Sequence, residues 1–214
     1  MLFLFSAVLI LAAFNTLSSV SNTLNRLNVV ESERDRWQRP SEVLRSLTVR
    51  EGSTVVDLGC GAGYFTLKLA AIVGSRGEVL GVDLRRVSLF FLRIRAPMRN
   101  LHNINIIVGT ADDPHLPVER VDAVLIANTY HEFTHPHLML DHVWRSLHRG
   151  GRLVIVDRGP RKETEGSVAH GHELQPERVE VELRRKGFEL LSRDDHFIEQ
   201  RGDEPWWLMV ARRP

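Results

Sequence analysis

The sequence predicts an α/β fold: a doubly wound, mostly parallel seven-stranded sheet that ends in an antiparallel hairpin. Two observations carry this. From residue 41 onward, short β-branched runs alternate with segments of helical apolar spacing, the pattern of a parallel sheet covered by helices on both faces. The last two apolar runs, FELLSRDDHF and WWLMVARR, are separated only by IEQRGDEP, too short for a crossover helix, so they pair as an antiparallel hairpin at one edge.

The elements follow in order. STVVDLG (53–59) is the first strand, and YFTLKLAAIVG (64–74) is a helix stopped by glycine. EVLGVDL (78–84) is the second strand, and RRVSLFFLRIRAPMRN an amphipathic helix with Arg85, Arg86, Arg93, Arg95 and Arg99 on a solvated face. INIIVG (104–109) and VDAVLIAN (121–128) are strands three and four. A helix over about 136–148 runs into RGGRLVIVD, the fifth strand. A polar segment (158–172), a helix near 176–186 and the closing hairpin complete the chain.

The chain has 214 residues, enough for one good-sized domain. Residues 1–25 stand apart from residues 26–214, which form the single folded domain. MLFLFSAVLILAAF is almost wholly apolar and reads as a signal peptide, a short membrane anchor or an over-extended start. No basic residue precedes it, although SVS at 19–21 offers a small-x-small cleavage site, and it is shorter than the roughly 20 residues a helical span needs. Arg26, Arg34, Arg36 and Arg39 all follow it, which favours a cytoplasmic domain behind an anchor. Membrane contact is expected only through this leader, if it is retained.

A net charge of +1 implies no bulk attraction to nucleic acid or to an anionic membrane. The single cysteine, Cys60, excludes an intramolecular disulfide and a thiolate zinc site. HEFTH (131–135) matches the two-histidine zinc signature H-E-x-x-H, which needs both histidines on one helical face. Pro136 follows the second histidine, so the helix begins there, leaving His131 in a loop and His135 at the helix start. No metal site is expected.

VVDLGCGAGYF (55–65) places Asp57 at the end of a strand, then Gly59, Gly61 and Gly63, then a helix. Such glycines let a ligand approach the backbone, and the helix N-terminus supplies N–H donors. Asp83, twenty residues past Gly63, closes the second strand where a carboxylate can accept hydrogen bonds from ribose hydroxyls. A pyrophosphate would be repelled by Asp57, whereas a ligand with an ammonium group would be attracted, which separates this loop from a dinucleotide site.

With these features the chain resembles the class I S-adenosylmethionine-dependent methyltransferases, from about residue 34 onward. The resemblance implies a Rossmann-like fold and S-adenosyl-L-methionine as cofactor. It implies that Asp57, Gly59, Gly61 and Gly63 hold the methionine part and Asp83 the ribose. HEFTHPHLMLDHVWRSLHRGGRLVIVD is similar to the family's fourth-helix and fifth-strand segment. The family's Gly-Asp-Ala after strand three is replaced by GTADDPHLP; Thr110 occupies the acidic position, so Asp112 is assigned to the adenine, with Asp113 beside it as the alternative. RDRWQRP (34–40) resembles a segment of a bacterial subgroup, in which Trp37 either covers the cofactor or packs on the sheet edge.

The implied reaction is methyl transfer to a small-molecule acceptor by in-line displacement. Asn128, at the end of strand four, is expected beside the cofactor, and Tyr130, His131 and Glu132 near the acceptor. His131 is the candidate base, and His170 or His172, from the polar segment, could also reach the acceptor. Cys60 is read as a small filler. A protein or RNA methyltransferase and a non-catalytic cofactor-binding protein remain as alternatives; nucleic acid is not an expected partner.

Overall fold

No glycine or proline occurs between Met1 and Arg39, so nothing in that stretch breaks a helix. In the computed structural model, which describes residues 2–160, 174–199 and 205–214, helix α1 accordingly runs unbroken over Leu2–Trp37. It passes straight through the boundary drawn at residue 25. The chain divides into two units, Met1–Trp37 and Gln38–Pro214, and every strand lies in the second. Among the described residues, no helix is long and apolar enough to cross a membrane. Trp37 is the last residue of α1.

The second unit opens with α2 (Pro40–Ser46), started by proline at its first position after Arg39 in the left-handed region. The remaining elements are β1 (Thr54–Leu58), α3 (Tyr64–Val73), β2 (Glu78–Asp83), α4 (Arg86–Met98), β3 (Ile104–Val108) and β4 (Val121–Ala127). A short 3-10 turn, η1 (Tyr130–Glu132), precedes α5 (Pro136–Ser146), β5 (Leu147–Arg158), α6 (Pro176–Lys186), β6 (Glu189–Ile198) and β7 (Trp206–Arg212).

The strand order is β3-β2-β1-β4-β5-β7-β6. Strands β1 to β5 pair in parallel, and β7 is antiparallel to both β5 and β6. The closing hairpin is therefore present, and its second strand is the one that lies inside the sheet. The composition explains why: Trp206–Ala211 is an unbroken apolar run and is buried throughout, whereas β6 carries Glu189, Ser192, Asp194 and His196 on exposed positions suited to an edge.

One apolar layer joins Val56, Val124 and Ile155 of the sheet to Leu140 and Val143 of α5 and Leu183 of α6. Trp144 packs edge-on against Phe188 with ring centroids 4.9 Å apart. A smaller cluster joins Cys60 and Leu67 to Leu89, Leu92 and Ala96 of α4.

Helix α4 departs from the sequence expectation at one residue. Arg85, Arg86, Arg93 and Arg99 are exposed, but Arg95 is 3% exposed. It follows Leu92 by three positions and so shares the inward face, where its Nη1 donates to the Ala62 carbonyl at 2.5 Å. Arg95 belongs to the support of the glycine loop and not to a solvated face.

Candidate functional site

Strands β1 and β4 are neighbours whose connections run to opposite sides of the sheet, the topological switch point at whose carboxyl end open α/β sheets form a ligand crevice. The loops after β1, β2 and β4 and the carboxyl end of β5 meet there.

The three glycines of the first loop all have positive φ but serve different contacts. A Cβ on Gly59 would fall 2.2 Å from the Thr129 side chain, and one on Gly63 would fall 2.4 Å from Leu92 Cδ1. These two glycines let the loop close onto the β4 loop and α4. A Cβ on Gly61 would meet nothing within 4 Å, so this glycine faces open space where a ligand can approach the backbone.

Asp83 ties the loop to β2. Its Oδ2 accepts from the Gly61 amide at 2.8 Å and its Oδ1 from the Arg85 amide at 2.7 Å. Each carboxylate oxygen retains a further acceptor site, so two hydroxyls of a sugar can be added without breaking either bond. Asp57 is 2% exposed and accepts the Thr66 hydroxyl at 2.5 Å. It lies beneath the loop as a buried negative charge. Cys60, between the glycines, has its thiol pushed up by burial and then by the carboxylates of Asp57 and Asp83; it stays protonated and fills space.

Across the crevice, Asn128 sits at φ 55° with its amide donating to the Val156 carbonyl at 2.7 Å. Its Oδ1 is shielded from solvent and has no hydrogen-bond partner among the described residues. A buried acceptor without a donor is an open position for a ligand N–H or O–H.

Tyr130 and His131 are adjacent in η1 and point to different surroundings. Tyr130 is 1% exposed, in the core, and its hydroxyl donates to Glu182 of α6 at 2.6 Å. Burial and this contact push its phenol up. It was expected at the acceptor; the structure places it in the core, because the apolar ring is more stable under α6 than in the crevice.

The His131 side chain is 3% exposed. Its Nδ1 lies 2.7 Å from Asp157 Oδ1, and its Nε2 lies 3.1 Å from Arg158 Nη2. Guanidinium nitrogens only donate, so Nε2 accepts and Nδ1 carries the proton it donates to Asp157. Asp157 is wholly buried and also accepts from the backbone amides of His131 and Arg158. Neither Asp157 nor Arg158 was among the residues singled out from sequence. The signal was present: Asp157 closes VIVD at the carboxyl end of a parallel strand, as Asp57 and Asp83 do in theirs.

Glu132 lies between Arg85 and His131: its Oε2 is 2.5 Å from Arg85 Nη2 and its Oε1 is 3.9 Å from His131 Nε2. The Glu132–Arg85 pair spans from the β4 loop to the β2 loop, with both side chains well exposed. Asp112 is 59% exposed and 3.7 Å from His135. Asp113 caps its own turn, accepting the His115 amide at 2.7 Å, with its backbone amide donated to Thr110. His131 in η1 and His135 at the α5 N-cap thus keep different partners and do not form a histidine pair on one helical face. His170 and His172 lie outside the described residues.

The open face of Gly61, the doubly acceptor Asp83 and the unpartnered Asn128 Oδ1 fit a ligand with an amino-acid portion and a ribose. A family model described as "Methyltransferase domain" matches residues 50–192. The chain belongs to this family, with the Rossmann-like fold of class I S-adenosylmethionine-dependent methyltransferases, and S-adenosylmethionine is the cofactor of that class. It is 27% identical over 138 residues to the demethylmenaquinone methyltransferase of Listeria welshimeri, an alignment covering 64% of this chain and 58% of that protein. The chain therefore spans under two thirds of the length of this curated relative. A S-adenosylmethionine-dependent methyltransferase of Aquifex aeolicus superposes with a TM-score of 0.74 at 21% identity, covering 89% of this chain and 98% of that one. The [4+2]-cyclase SpnF superposes with a TM-score of 0.70 at 19% identity, covering 83% and 81%.

Proposed function

We propose that this protein transfers a methyl group from S-adenosylmethionine to a small-molecule acceptor in the crevice at the carboxyl ends of β1, β4 and β5. The observation that carries the assignment of the cofactor site is the Gly61–Asp83 link, which sets an open glycine face beside a carboxylate with two acceptor sites to spare. Gly59, Gly61 and Gly63 would hold the methionine portion, with Asp57 supplying negative charge beneath the loop. Asp83 would hold the ribose, Asn128 would meet the ligand from the β4 side, and Asp112 or Asp113 would face the adenine.

When bound, the cofactor supplies a methyl group on a sulfonium, with a neutral thioether as leaving group. The protein's own task is to align the acceptor nucleophile with that methyl and to take up the proton the nucleophile loses. His131 is the base of this proposal: Asp157 fixes its ring and tautomer, so that the proton arrives at Nε2. A positioned base of this kind contributes roughly 10²–10⁴-fold. Glu132 would border the acceptor, and His170, outside the described residues, is the further candidate for contact with it.

A small acceptor is supported by the size of the domain and by the relative from Listeria welshimeri, named for demethylmenaquinone. The near-neutral charge counts against a nucleic acid substrate. The arginines that follow the apolar N-terminal stretch support a cytoplasmic location. One observation favours a second reading, cofactor binding without turnover: Arg158 occupies the nitrogen His131 would use as a base. Calorimetric binding of S-adenosylmethionine, followed by assay of S-adenosylhomocysteine release with a panel of phenols, quinols, amines and thiols, decides between them. Binding with release identifies an enzyme; binding without release for any acceptor favours the second reading.

A further inference from the structure

Arg158 closes β5 beside His131 and is half-buried. Among the described residues, no carboxylate lies within ion-pair distance of its guanidinium, although other arginines of this unit, Arg39, Arg85, Arg193, Arg212 and Arg213 among them, have acidic partners. Its Nε is shielded from solvent and has no acceptor. Its Nη2 donates to the neutral His131 imidazole, which offers no charge in return. A half-buried guanidinium whose Nε is shielded from solvent and which has no ion-pair partner among the described residues stands out, because desolvation of a charge is offset by pairing or by hydrogen bonds to an ionised group. Asp157, the next residue, makes no ion pair with this guanidinium: its Oδ1 accepts from His131 Nδ1 and the Arg158 backbone amide, and its Oδ2 from the His131 amide.

We propose that Arg158 receives a negatively charged oxygen of the methyl acceptor, a carboxylate or an ionised phenol or enol, and that this contact releases His131 Nε2 to act as base. The inference rests on the methyl-transfer reading above. The guanidinium fork presents Nε–H and an Nη–H side by side, a geometry matched to an oxyanion and poorly used by one imidazole nitrogen. An oxyanion competes for the Nη2 donor with full charge against a neutral acceptor and wins it. His131 then has a free lone pair at Nε2, while its Nδ1–H stays hydrogen-bonded to Asp157. The proton lost by the acceptor nucleophile moves to Nε2, the methyl carbon bonds to the nucleophile, and the electron pair of the broken C–S bond remains on sulfur. Without an acidic acceptor the base stays capped, so Arg158 both selects the substrate class and gates the proton transfer.

The test uses the full chain saturated with S-adenosylhomocysteine and labelled with ¹⁵N in arginine and histidine, the Arg158 signal being assigned by its loss in Arg158→Gln. Benzoate is compared with benzamide, and 4-nitrophenolate with 4-nitroanisole. The expected result is saturable movement of the Arg158 Nε–H and His131 ring signals with one or both anions and with neither neutral partner; which anion acts tells carboxylate from phenolate recognition. Arg158→Gln is expected to weaken anion binding at least tenfold, and Arg158→Lys, which keeps the charge without the fork, to recover part of it. Equal binding of neutral and anionic partners, no binding of either anion, or unchanged anion affinity in both variants overturns the proposal. Failure of the wild-type chain to bind S-adenosylhomocysteine in calorimetry would instead overturn the methyl-transfer reading.

Discussion

Asp83 Oδ2 accepts the backbone amide of Gly61 at 2.8 Å, so the acid that ends the second strand holds the open point of the glycine loop in place. One carboxylate thus shapes the loop and keeps acceptor positions for the ribose proposed to bind there.

Replacing Asp83 by alanine should weaken S-adenosylmethionine binding by about 1.5–3 kcal/mol, the range for hydrogen bonds to a charged group. Isothermal titration calorimetry measures this directly. An unchanged affinity would remove the ribose assignment.

Gly61 and Gly63 should respond to alanine in opposite ways. Gly63→Ala places a methyl 2.4 Å from Leu92 Cδ1 at a φ of 94°, and overpacking of this kind costs on the order of 1–3 kcal/mol of stability. Gly61→Ala meets no protein atom; backbone strain should cost it roughly 1–2 kcal/mol, while cofactor affinity falls by a larger factor than the stability loss explains. Urea unfolding and calorimetry on both variants separate the two outcomes.

Arg95→Ala should destabilise the protein by about 1.5–3 kcal/mol by removing a charged hydrogen bond to the Ala62 carbonyl, whereas Arg93→Ala on the exposed face should stay within roughly 0.5 kcal/mol. Equal effects in denaturant titrations would mean that Arg95 does not clamp the loop.

Asp157→Asn keeps the shape of the side chain but loses the charge that orients the His131 ring. Acceptor-dependent turnover should fall by roughly 10²–10⁴-fold, with little change in the calorimetric affinity for S-adenosylmethionine. A parallel loss of cofactor binding would indicate a collapsed site instead.

The backbone carbonyl of Arg149 and then the Asp122 carboxylate hold His148 above its usual imidazole value. A raised folded value means that its contribution is fully present below the unfolded pKa of about 6.5 and is lost as pH rises through the folded one. With the side chain 45% exposed the effect is small. The difference in melting temperature between wild type and His148→Gln should therefore be larger at pH 5.5 than at pH 8.5; a constant difference would discount the pair.

The order of strands and helices from β1 onward, the start of α5 at Pro136 and the glycine loop were legible in the sequence, because each depends on local chemistry: apolar period, proline at a helix start, an acid closing a strand. The placement of Asp57, Gly61 and Asp83 around one loop was legible for the same reason, since the connections between these elements are short and the fold brings their ends together.

What the chain alone could not decide is where a side chain points once elements from distant parts of the sequence surround it. Tyr130 and His131 are neighbours in one turn, yet the first goes under α6 to Glu182 and the second to Asp157 on β5. Arg95 looks like its exposed neighbours until its bond to the Ala62 carbonyl is seen, and Arg158 becomes notable only when, among the described residues, no carboxylate pairs with its guanidinium. Periodicity and turn chemistry are properties of a few adjacent residues and survive in the sequence, whereas burial and hydrogen-bond partnership arise between residues far apart in it. Tertiary packing therefore decided which of the sequence's candidate groups belong to the core, which support the loop and which are left facing the crevice.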